Sequence, residues 1–565
     1  MNFSERNDGA AFRLPEVFYL IFFAILLFAK GIGLYDGQKV FTVLLVIACL
    51  FWCGKVLLTK HTVGELLTMA VLLILGVLSW RISGEKAALV NIMVITGMKE
   101  VSSIRVFRIG AVIWTVCFIG TTTLATLGLI DDTILVHSKL GLGHIIRYSL
   151  GYTHPNVLHI TYVILLAFLF YCLDLNRRQL IWASIAAFVL NFYIFLYSIS
   201  YTGFVMAALF LMLNLYFRLR SSFTRKEKIL IQCVFPLCAI ISVLGPVLIQ
   251  GSLFDFMNRL MNTRWEMSRY FLTEQTIGLF GTSFTDLPDT SYSIDCSYVY
   301  VLMYYGIILF ILACIACFRT VHYEVRREGR RELPILLTFF VGGMIEPFMA
   351  NFSFKNLTLI FLGECMYAVP LFHFRGAFGE FWNRPVQLTP WTEMTVTLPG
   401  DGRKTTPAGP NNVSPVSSDP DRAAGAGSEK RSCTIQRWVK SLRGRGRILL
   451  LVGLLAGVIS GVVFFLVTEP MDSVYVDVWK SDLYYTNGEM IQVKPNEEEL
   501  PEDWNGMIIG TADGKTNMYE ITGNIVIMEH VRDAVSLGLA IGVLAAAAAA
   551  VGFIAAGKGR GDGSC

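Results

Sequence analysis

The sequence predicts an all-α polytopic membrane protein, and three observations support that fold class. Apolar residues make up 54% of the 565-residue chain. Charged residues make up only 16%, whereas ordinary soluble domains carry about 25%. Apolar runs recur along the chain, and the long ones have the roughly 20 residues that a helix needs to cross a hydrocarbon core. The basic residues are scattered over short loops, so the net charge of +4 gives no reason to expect a nucleic-acid partner.

About twelve candidate transmembrane helices occupy residues 1–375, and two more follow. The first run has no small-residue cleavage site, so we interpret it as a retained span and not as a signal peptide. The candidate spans are 15–33, 39–58, 65–80, 87–98, 108–130, 155–173, 179–198, 203–218, 229–250, 294–318, 334–351, 356–373, 448–467 and 533–556.

Positive charge in the loops predicts how the spans are oriented. Lysine and arginine concentrate in every second loop, and such loops face the cytoplasm. If the short span 87–98 were omitted, every later loop would change sides of the membrane, and the charge of these loops would no longer agree with this rule. The loops therefore favour twelve crossings of the cytoplasmic membrane, with both termini of the chain inside. The predicted cytoplasmic loops are 59–64, 99–107, 174–178, 219–228 and 319–333.

The chain changes character after residue 375. Residues 376–446 are rich in Pro, Gly, Ser and charge, which predicts a disordered cytoplasmic linker. Residues 447–565 form a predicted two-span unit whose insert, 468–532, lies outside the membrane. Short β patterns around Asn487-Gly488 and Asp513-Gly514 predict a small β-rich unit in this insert. The alanine-rich last span predicts close helix packing, for which the main bundle is one candidate surface.

The cysteines do not predict a redox or metal centre. Most of the 12 lie inside apolar runs, where a thiol behaves as a small hydrophobic group. Cys314 and Cys317 form a CxxC pair, but it lies in mid-span with no other ligands nearby. We therefore expect no metal, no cofactor and no disulfide framework.

Two predicted outside loops, 131–154 and 251–293, are long enough to form a site. An arginine side chain has a planar fork that pairs with two phosphate oxygens and keeps its charge. Several arginines beside apolar grooves therefore suit a ligand with a diphosphate head and a long lipid tail. A carboxylate inside a span is costly unless it is paired or used. The polar residues selected on these grounds are Arg147, His154, Asn156, Arg259, Arg264, Arg269, Asp295 and Glu346.

Each of these residues also has a plainer interpretation. An arginine at the membrane surface can extend its stem along apolar neighbours and keep its head in water. On one continuous helix, a spacing of five would turn successive arginines roughly 140° apart, so Arg259, Arg264 and Arg269 would not share a face. Asp295 is placed to cap the helix that follows it. His154 stands at a helix start, where a backbone contact would hold it.

Four motifs occur in an order that is found in a known family. With the twelve-span layout they resemble the Wzy-type polymerases of O-antigen, capsule and exopolysaccharide synthesis, within the O-antigen ligase and polymerase superfamily. The resemblance covers about residues 15–373. The chain departs from the family pattern at Tyr201, where Ser-Arg is common, and at Cys296, where the family usually has Asn after the Asp. The motifs are GYTHPNVLH (151–159), SISYTGF (198–204), NTRWEM (262–267) and SIDCSYVYVLMYYGIILF (293–310).

The resemblance implies a metal-independent membrane glycosyltransferase that joins undecaprenyl-diphosphate-linked repeat units outside the cytoplasmic membrane. The growing glycan passes to a hydroxyl of the next lipid-linked unit, and polyprenyl diphosphate leaves. Such a reaction needs cations on the departing diphosphate and a general base near the acceptor hydroxyl. Its implied partners are the bilayer and the lipid-linked glycan, with a flippase and a chain-length regulator as further candidates. The candidate diphosphate-binding residues are Arg147, Arg259, Arg264, Arg269 and Asn156, and the candidate catalytic residues are His154, Asp295 and Glu346.

Two other functions stay open at this point. A ligase of the same superfamily would move a finished glycan to a different acceptor. A lipid-linked oligosaccharide flippase or other transporter would have a similar number of spans. Transporters tend to show internal repeats and broken helices, and no repeat relates the two halves of this sequence. For the C-terminal unit, a regulatory contact with a chain-length regulator or with glycan is a hypothesis.

Overall fold

The computed structural model describes most of the chain, and the described part is predominantly helical. It divides into two compact units, one formed by Met1–Thr133 with Tyr148–Asp401 and the other by Ile134–Arg147 with Gly402–Cys565. Residues 134–147, which the sequence placed in a loop of the main bundle, thus group with the C-terminal unit. The described residues are 11–130, 132–138, 144–261, 263–284, 287, 292–369, 374–389, 395–397, 446–470, 474–477, 483–486, 489–492, 507–511, 517–521 and 524–558.

The helices follow the predicted apolar runs closely over most of the chain. They are α1 (Leu14–Gly31), α2 (Lys39–Leu57), α3 (Val63–Ser83), α4 (Ala87–Gly97), α5 (Ser103–Thr126), α6 (Pro155–Cys172), α7 (Arg177–Ser198), α8 (Tyr201–Leu219), α9 (Arg225–Leu248), α10 (Ser252–Leu260), α11 (Arg264–Glu274), α12 (Ser297–Tyr300), α13 (Ile307–Arg326), α14 (Glu332–Gly342), α15 (Thr358–Ala368), α16 (Gly376–Trp382), α17 (Gly446–Val467) and α18 (Asn524–Lys558).

The strands are short and lie between or beside the helices. They are β1 (Ala11–Arg13), β2 (His61–Thr62), β3 (Ile134–Ser138), β4 (His144–Tyr148), β5 (Pro385–Val386), β6 (Thr395–Thr397), β7 (Val474–Asp477), β8 (Leu483–Thr486), β9 (Glu489–Gln492), β10 (Met507–Thr511) and β11 (Asn517–Ile521).

Ten helices among the described residues are long and apolar enough to cross a membrane. Three predicted spans correspond to shorter apolar helices, α4, α14 and α15, and residues 451–467 of α17 form a fourth. The chain is therefore that of a multi-pass membrane protein. The most enclosed of the ten is α6, in which Leu158 and Val163 are fully buried.

Capping boxes fix the starts of three helices. In each box the side chain of the capping residue accepts a hydrogen bond from the backbone N–H three residues on, and that residue's side chain accepts one in return. All three starts adjoin loops that the charge pattern assigned to the cytoplasmic side. The pairs are Thr62 with Glu65 before α3, Asn176 with Gln179 before α7, and Thr224 with Glu227 before α9.

The predicted span 294–318 is broken, and this corrects the sequence interpretation. Helix α12 continues into a π turn, Val301–Tyr305, and the helix then breaks at Gly306, which has φ 87° and ψ 169°. Loop residues satisfy the backbone groups that the break exposes: Thr282 N donates to Met303 O at 2.9 Å and Ile307 N donates to Gly278 O at 3.1 Å. An unpaired backbone group at membrane depth costs several kcal/mol, so part of the loop 251–293 completes this broken helix.

The predicted span 334–351 is also shorter than expected. Helix α14 ends at Gly342, and Glu346 has an extended backbone with φ −125° and ψ 142°. The next residue is Pro347, whose ring disfavours a helical conformation for the residue before it. The chain then forms a single 3₁₀ turn, Pro347–Met349, before α15 begins. Non-helical backbone at this depth is tolerated where it is buried in protein or lines a cavity.

The beginning of the predicted linker 376–446 is structured. Helix α16 is followed by β5, which pairs antiparallel with β2. The indole of Trp382 in α16 lies against Gly64 at the start of α3, where an added Cβ would be 2.2 Å from it. Large aromatic side chains in this segment give it enough apolar surface to pack, which its overall composition concealed. Residues 390–394 and 398–445 of the linker lie outside the described residues.

In the second unit, α17 and α18 pack through small residues. A Cβ added to Gly457 would lie 2.7 Å from Gly538 O, and one added to Gly461 would lie 2.8 Å from Ala534 O. Such a seam lets two backbones approach closely, as the alanine- and glycine-rich sequence predicted. The strands of this unit form a sheet of order β10-β11-β7 and a β8-β9 hairpin. The turn residues predicted at Asn487-Gly488 and Asp513-Gly514 lie outside the described residues.

Candidate functional site

Four of the residues selected from the sequence meet at one end of the first unit. Asn156 lies in the first turn of α6, and Arg264 is the first residue of α11. Asp295 lies two residues before α12, and Glu346 lies in the turn after α14. These residues are far apart in the sequence, so their meeting depends on the bundle.

Arg264 lies at the centre of this cluster. Its Nη2 atom is 3.2 Å from Asp295 Oδ2 and 3.9 Å from Glu346 Oε1. Its Nε atom donates a hydrogen bond to Ile345 O at 3.1 Å. The preceding residue, Thr263, has a left-handed φ of 67°. The chain therefore changes direction after α10, and α11 begins at Arg264. The guanidinium is thus held from three sides, with only 12% of the side chain exposed.

Glu346 joins the cluster to two other elements. Asn156 Nδ2 donates to Glu346 Oε1 at 3.4 Å, which links the carboxylate to the start of α6. Ser297 Oγ donates to Glu346 O at 2.6 Å, which fixes the backbone of the turn to α12. One guanidinium therefore faces two carboxylates, and the trio of Arg264, Asp295 and Glu346 carries a net negative charge.

Asp295 pairs with the arginine and does not cap α12. The residue at the capping position is Cys296, and no side-chain hydrogen bond caps the helix. Asp295 Oδ1 instead accepts a hydrogen bond from Ser293 Oγ at 3.2 Å. The geometry therefore favours Asp295 as a partner of Arg264 and not as a helix cap. About a third of its side chain, 35%, is exposed.

His154 caps α6, which changes the chemistry expected of it. Its Nδ1 atom accepts a hydrogen bond from Asn156 N at 3.0 Å, and Pro155 takes the first helical position. An imidazole nitrogen that accepts from an amide carries no proton, so the neutral ring carries its proton on Nε2. In this tautomer His154 presents an N–H donor, and it fits a positioning or hydrogen-bonding role better than that of a general base.

Arg269 is occupied elsewhere, in contrast to the sequence prediction. Its Nε atom donates to Pro246 O at 2.6 Å, and Nη2 donates to Ile249 O at 2.5 Å. The guanidinium carbon also lies 3.6 Å from the centre of the Phe254 ring. These contacts satisfy carbonyl groups at the end of α9, so the structure gives Arg269 a helix-capping role.

Arg259 makes none of these contacts among the described residues. It is exposed on α10, and its Nε atom donates to Asp255 O, one turn back, at 3.4 Å. Because the helix breaks at Thr263, Arg259 and Arg264 are on different helices, and the assumed single helical register is wrong. Arg147 is buried in β4 and groups with the second unit.

Sequence reasoning missed Lys355. The residue follows Phe354, which has a left-handed φ of 55°, and precedes Asn356, whose Oδ1 accepts from Thr358 N at 3.1 Å to start α15. Only 8% of Lys355 is exposed. Burial lowers the pKa of its ammonium to about 8, and the negative charge of Glu346 opposes that shift. A single lysine in a short loop between two apolar runs gave no pattern by which to find it.

A second missed feature is a buried Ser-His-Asn group. His159 Nδ1 is 2.9 Å from Ser198 Oγ, and His159 Nε2 is 2.7 Å from Asn191 Oδ1. All three side chains are fully enclosed, and Gly203 packs directly on the imidazole. Without access for a substrate, the group ties α6 to α7 and α8. The SISYTGF motif is therefore structural at these positions.

An apolar crevice of about 850 Å³ lies in the first unit, between α3, α4, α13 and α15. Its walls include Ile92, Leu309 and Leu359. Ser297, which donates a hydrogen bond to Glu346 O, also lines the crevice, and so does Asn356, which follows Lys355 in the chain. The crevice therefore adjoins the charged cluster and offers it an apolar surface.

Comparison with protein-family models, curated proteins and solved structures finds no match to this chain. Among the described residues, no group of three or more His, Cys, Asp and Glu side chains is arranged to hold a metal ion.

Proposed function

We propose that the protein is a membrane glycosyltransferase that polymerises undecaprenyl-diphosphate-linked repeat units into a surface polysaccharide. The observation that carries this proposal is the position of Arg264 between Asp295 and Glu346. Arg264 and Asp295 come from motifs that resemble the polymerase family, and Glu346 comes from the end of a predicted span. A guanidinium beside a carboxylate provides a phosphate ligand and a proton acceptor in one place.

The proposal includes a topology and a location. Twelve helices of the first unit cross the cytoplasmic membrane with both termini inside, including the short α4, α14 and α15. Helices α17 and α18 cross it around an extracytoplasmic β-rich unit. In this arrangement the start of α6, the start of α11 and the turn after α14 all lie on the outer face, where repeat units are joined.

The residues of the cluster have different parts in the proposed reaction. Arg264 binds the diphosphate and stabilises the negative charge that develops as it leaves. Asp295, the closer carboxylate at 3.2 Å, orients the guanidinium. Glu346, at 3.9 Å, is farther from the guanidinium and takes the proton of the acceptor hydroxyl. The sugar–phosphate bond breaks, the new glycosidic bond forms at that oxygen, and polyprenyl diphosphate departs. The adjoining crevice accommodates part of the lipid tail.

The test is the length of glycan chains on cells whose only copy carries Arg264→Ala, with the amount of protein in the membrane measured. We expect single repeat units to replace the ladder of long chains. Arg259→Ala is the matched control, because that arginine belongs to the same loop but is exposed and outside the cluster. An unchanged ladder for Arg264→Ala contradicts the proposal.

A second candidate, a lipid-linked oligosaccharide flippase, is favoured by the broken helix at Gly306. Discontinuous helices often form substrate sites in transporters. Here loop residues close the break through the hydrogen bonds of Gly278 and Thr282, which favours an enzyme. In the same experiment, loss of all surface glycan, including single repeats, would support the flippase. Long chains on lipid carrier that never reach their final acceptor would support a ligase.

A further inference from the structure

Arg264 cannot by itself give the cluster an affinity for anions. Both Asp295 and Glu346 contact or approach its guanidinium, so the positive charge is already matched by two negative ones. A diphosphate brings at least two more negative charges. Like charges in a poorly solvated site repel strongly, so another cation has to be present if a diphosphate binds here.

Lys355 supplies a second positive charge near Glu346. Only 8% of the residue is exposed, and among the described residues none forms a hydrogen bond or an ion pair with its ammonium group. Buried charges in proteins are normally paired, because an unpaired one loses its hydration without compensation. The negative charge of Glu346 acts on the ammonium, so Lys355 and Arg264 are both close to the same carboxylate.

A second lysine adds to this positive charge. Lys30, at the end of α1, places its ammonium 4.1 Å from the centre of the Phe41 ring and 4.7 Å from that of Phe352. Its charge repels that of Lys355. Asp36 and Glu85 are the carboxylates that act on Lys30. Two lysines whose charges repel each other are a costly arrangement in the protein alone, and an anion close to both would relieve it.

We propose that Lys355 is a diphosphate-binding residue, whose ammonium holds one phosphate group while Arg264 holds the other, with Lys30 adding positive charge at the side. The inference rests on the proposed function and names how the lipid diphosphate is recognised. Two cations that are both close to Glu346 suit a ligand with two adjacent phosphate groups better than one with a single phosphate. Lys355 thus distinguishes the diphosphate from a monophosphate or an ordinary phospholipid.

The experiment measures the Kd of the purified full-length protein, in detergent, for undecaprenyl diphosphate, undecaprenyl monophosphate and phosphatidylglycerol. We compare the wild type with Lys355→Met, Lys355→Arg and Lys86→Met. Lys86 is the control because it is a lysine on the same predicted face, already paired with Asp36 at 2.8 Å. For Lys355→Met we expect diphosphate affinity to fall about tenfold to a hundredfold, which is the contribution of hydrogen bonds to charged groups.

The other variants make the result specific. Lys355→Arg should keep most of the diphosphate affinity, and Lys86→Met should leave it unchanged. Removal of an unpaired buried charge should not lower the apparent unfolding midpoint of the ligand-free protein. A lower midpoint for Lys355→Met, together with no rescue by Lys355→Arg, would assign Lys355 a structural role and overturn the inference.

Two further outcomes separate the inference from the proposed function. If the wild type prefers the diphosphate and Lys355→Met binds it equally well, the inference is wrong and the proposed function stands. If the wild type shows no preference for the diphosphate over the monophosphate and phosphatidylglycerol, both are overturned.

Discussion

The carboxylates of the cluster differ in how closely Arg264 neutralises their negative charge. Asp295 pairs with Arg264 at 3.2 Å and accepts a hydrogen bond from Ser293. Glu346 lies 3.9 Å from the same guanidinium and accepts a longer hydrogen bond, 3.4 Å, from Asn156. A carboxylate that is less neutralised accepts a proton more readily. This difference is the basis for the division of roles between them.

Glu346→Gln is expected to reduce polymerisation more than Asp295→Asn. Loss of a general base costs about a hundredfold to ten-thousandfold in rate, whereas Asp295→Asn retains Arg264 and weakens only its orientation. The measurement is the initial rate of chain growth by purified protein on lipid-linked repeat units extracted from cells that lack it. Equal losses in the two variants, or an active Glu346→Gln, would contradict the assigned roles.

Lys355 predicts how diphosphate binding depends on pH. Burial lowers its pKa from 10.5 to about 8, so the ammonium loses its proton as the pH rises through that value. The charged groups that act on it are Glu346 and Lys30, which shift the pKa in opposite directions. The affinity of the wild type for undecaprenyl diphosphate should begin to fall as the pH approaches 8 and should then decrease by up to about tenfold per unit.

Lys355→Arg is the control for this profile, since an arginine keeps its charge over the whole range. Its affinity should stay flat between pH 7 and 9.5. If the wild type and Lys355→Arg show the same decline, the titrating group is not Lys355.

At the scale of elements, the breaks in the helices place the site. Gly306 separates α12 from α13, and a Cβ at this position would lie 2.3 Å from Gly281 N and 2.5 Å from Leu279 O. The combination of φ 87° and ψ 169° is one that only glycine adopts readily. The close approach of the loop to the broken helix therefore depends on a glycine at residue 306.

Gly306→Ala is expected to lower the apparent unfolding midpoint in detergent. Backbone strain alone costs about 1–3 kcal/mol, and the clash with Gly281 adds to it. Gly120→Ala, in α5, is the control, because no neighbouring side chain or segment lies within 4 Å of an added Cβ there. That change should leave the midpoint equal or raise it slightly. A Gly306→Ala protein as stable as the wild type would show that the loop does not pack on the break as described.

The elements that could be predicted from the sequence are those set by local pattern. The length of the apolar runs predicted where most helices lie. The outer-loop motifs directed attention to Arg264 and Asp295, and the cost of a carboxylate inside a span directed it to Glu346. The end of α14 was missed because hydropathy continues past Gly342, while the glycines and Pro347 stop the helix. Which of the arginines joins the cluster depends on the break at Thr263 and on packing between distant elements, and hydropathy carries no such information.

At the scale of the whole molecule, the first unit extends past the bundle to residue 401. Strand β5 pairs with β2 at the start of α3, and β6 pairs with β1, with Thr397 opposite Ala11. The N-terminal and inter-helix segments of the bundle thus use partners that come after residue 375. The described residues after 375, namely 376–389 and 395–397, therefore pack with the membrane domain, and a boundary at 375 separates them from it.

Truncation after residue 401 is therefore expected to give a stable protein, and truncation after residue 375 a less stable one. The shorter chain loses the β5 and β6 pairings, and Gly64 loses its cover by Trp382. The measurement is the amount of protein in the membrane and its apparent unfolding midpoint, and equal stability of the two chains would contradict the boundary. The chain ending at 401 also tests the C-terminal unit. If that unit regulates chain length, this protein should still polymerise but should give a different modal length. Unchanged length and amount of product would exclude a regulatory role, since the membrane domain would then set both by itself.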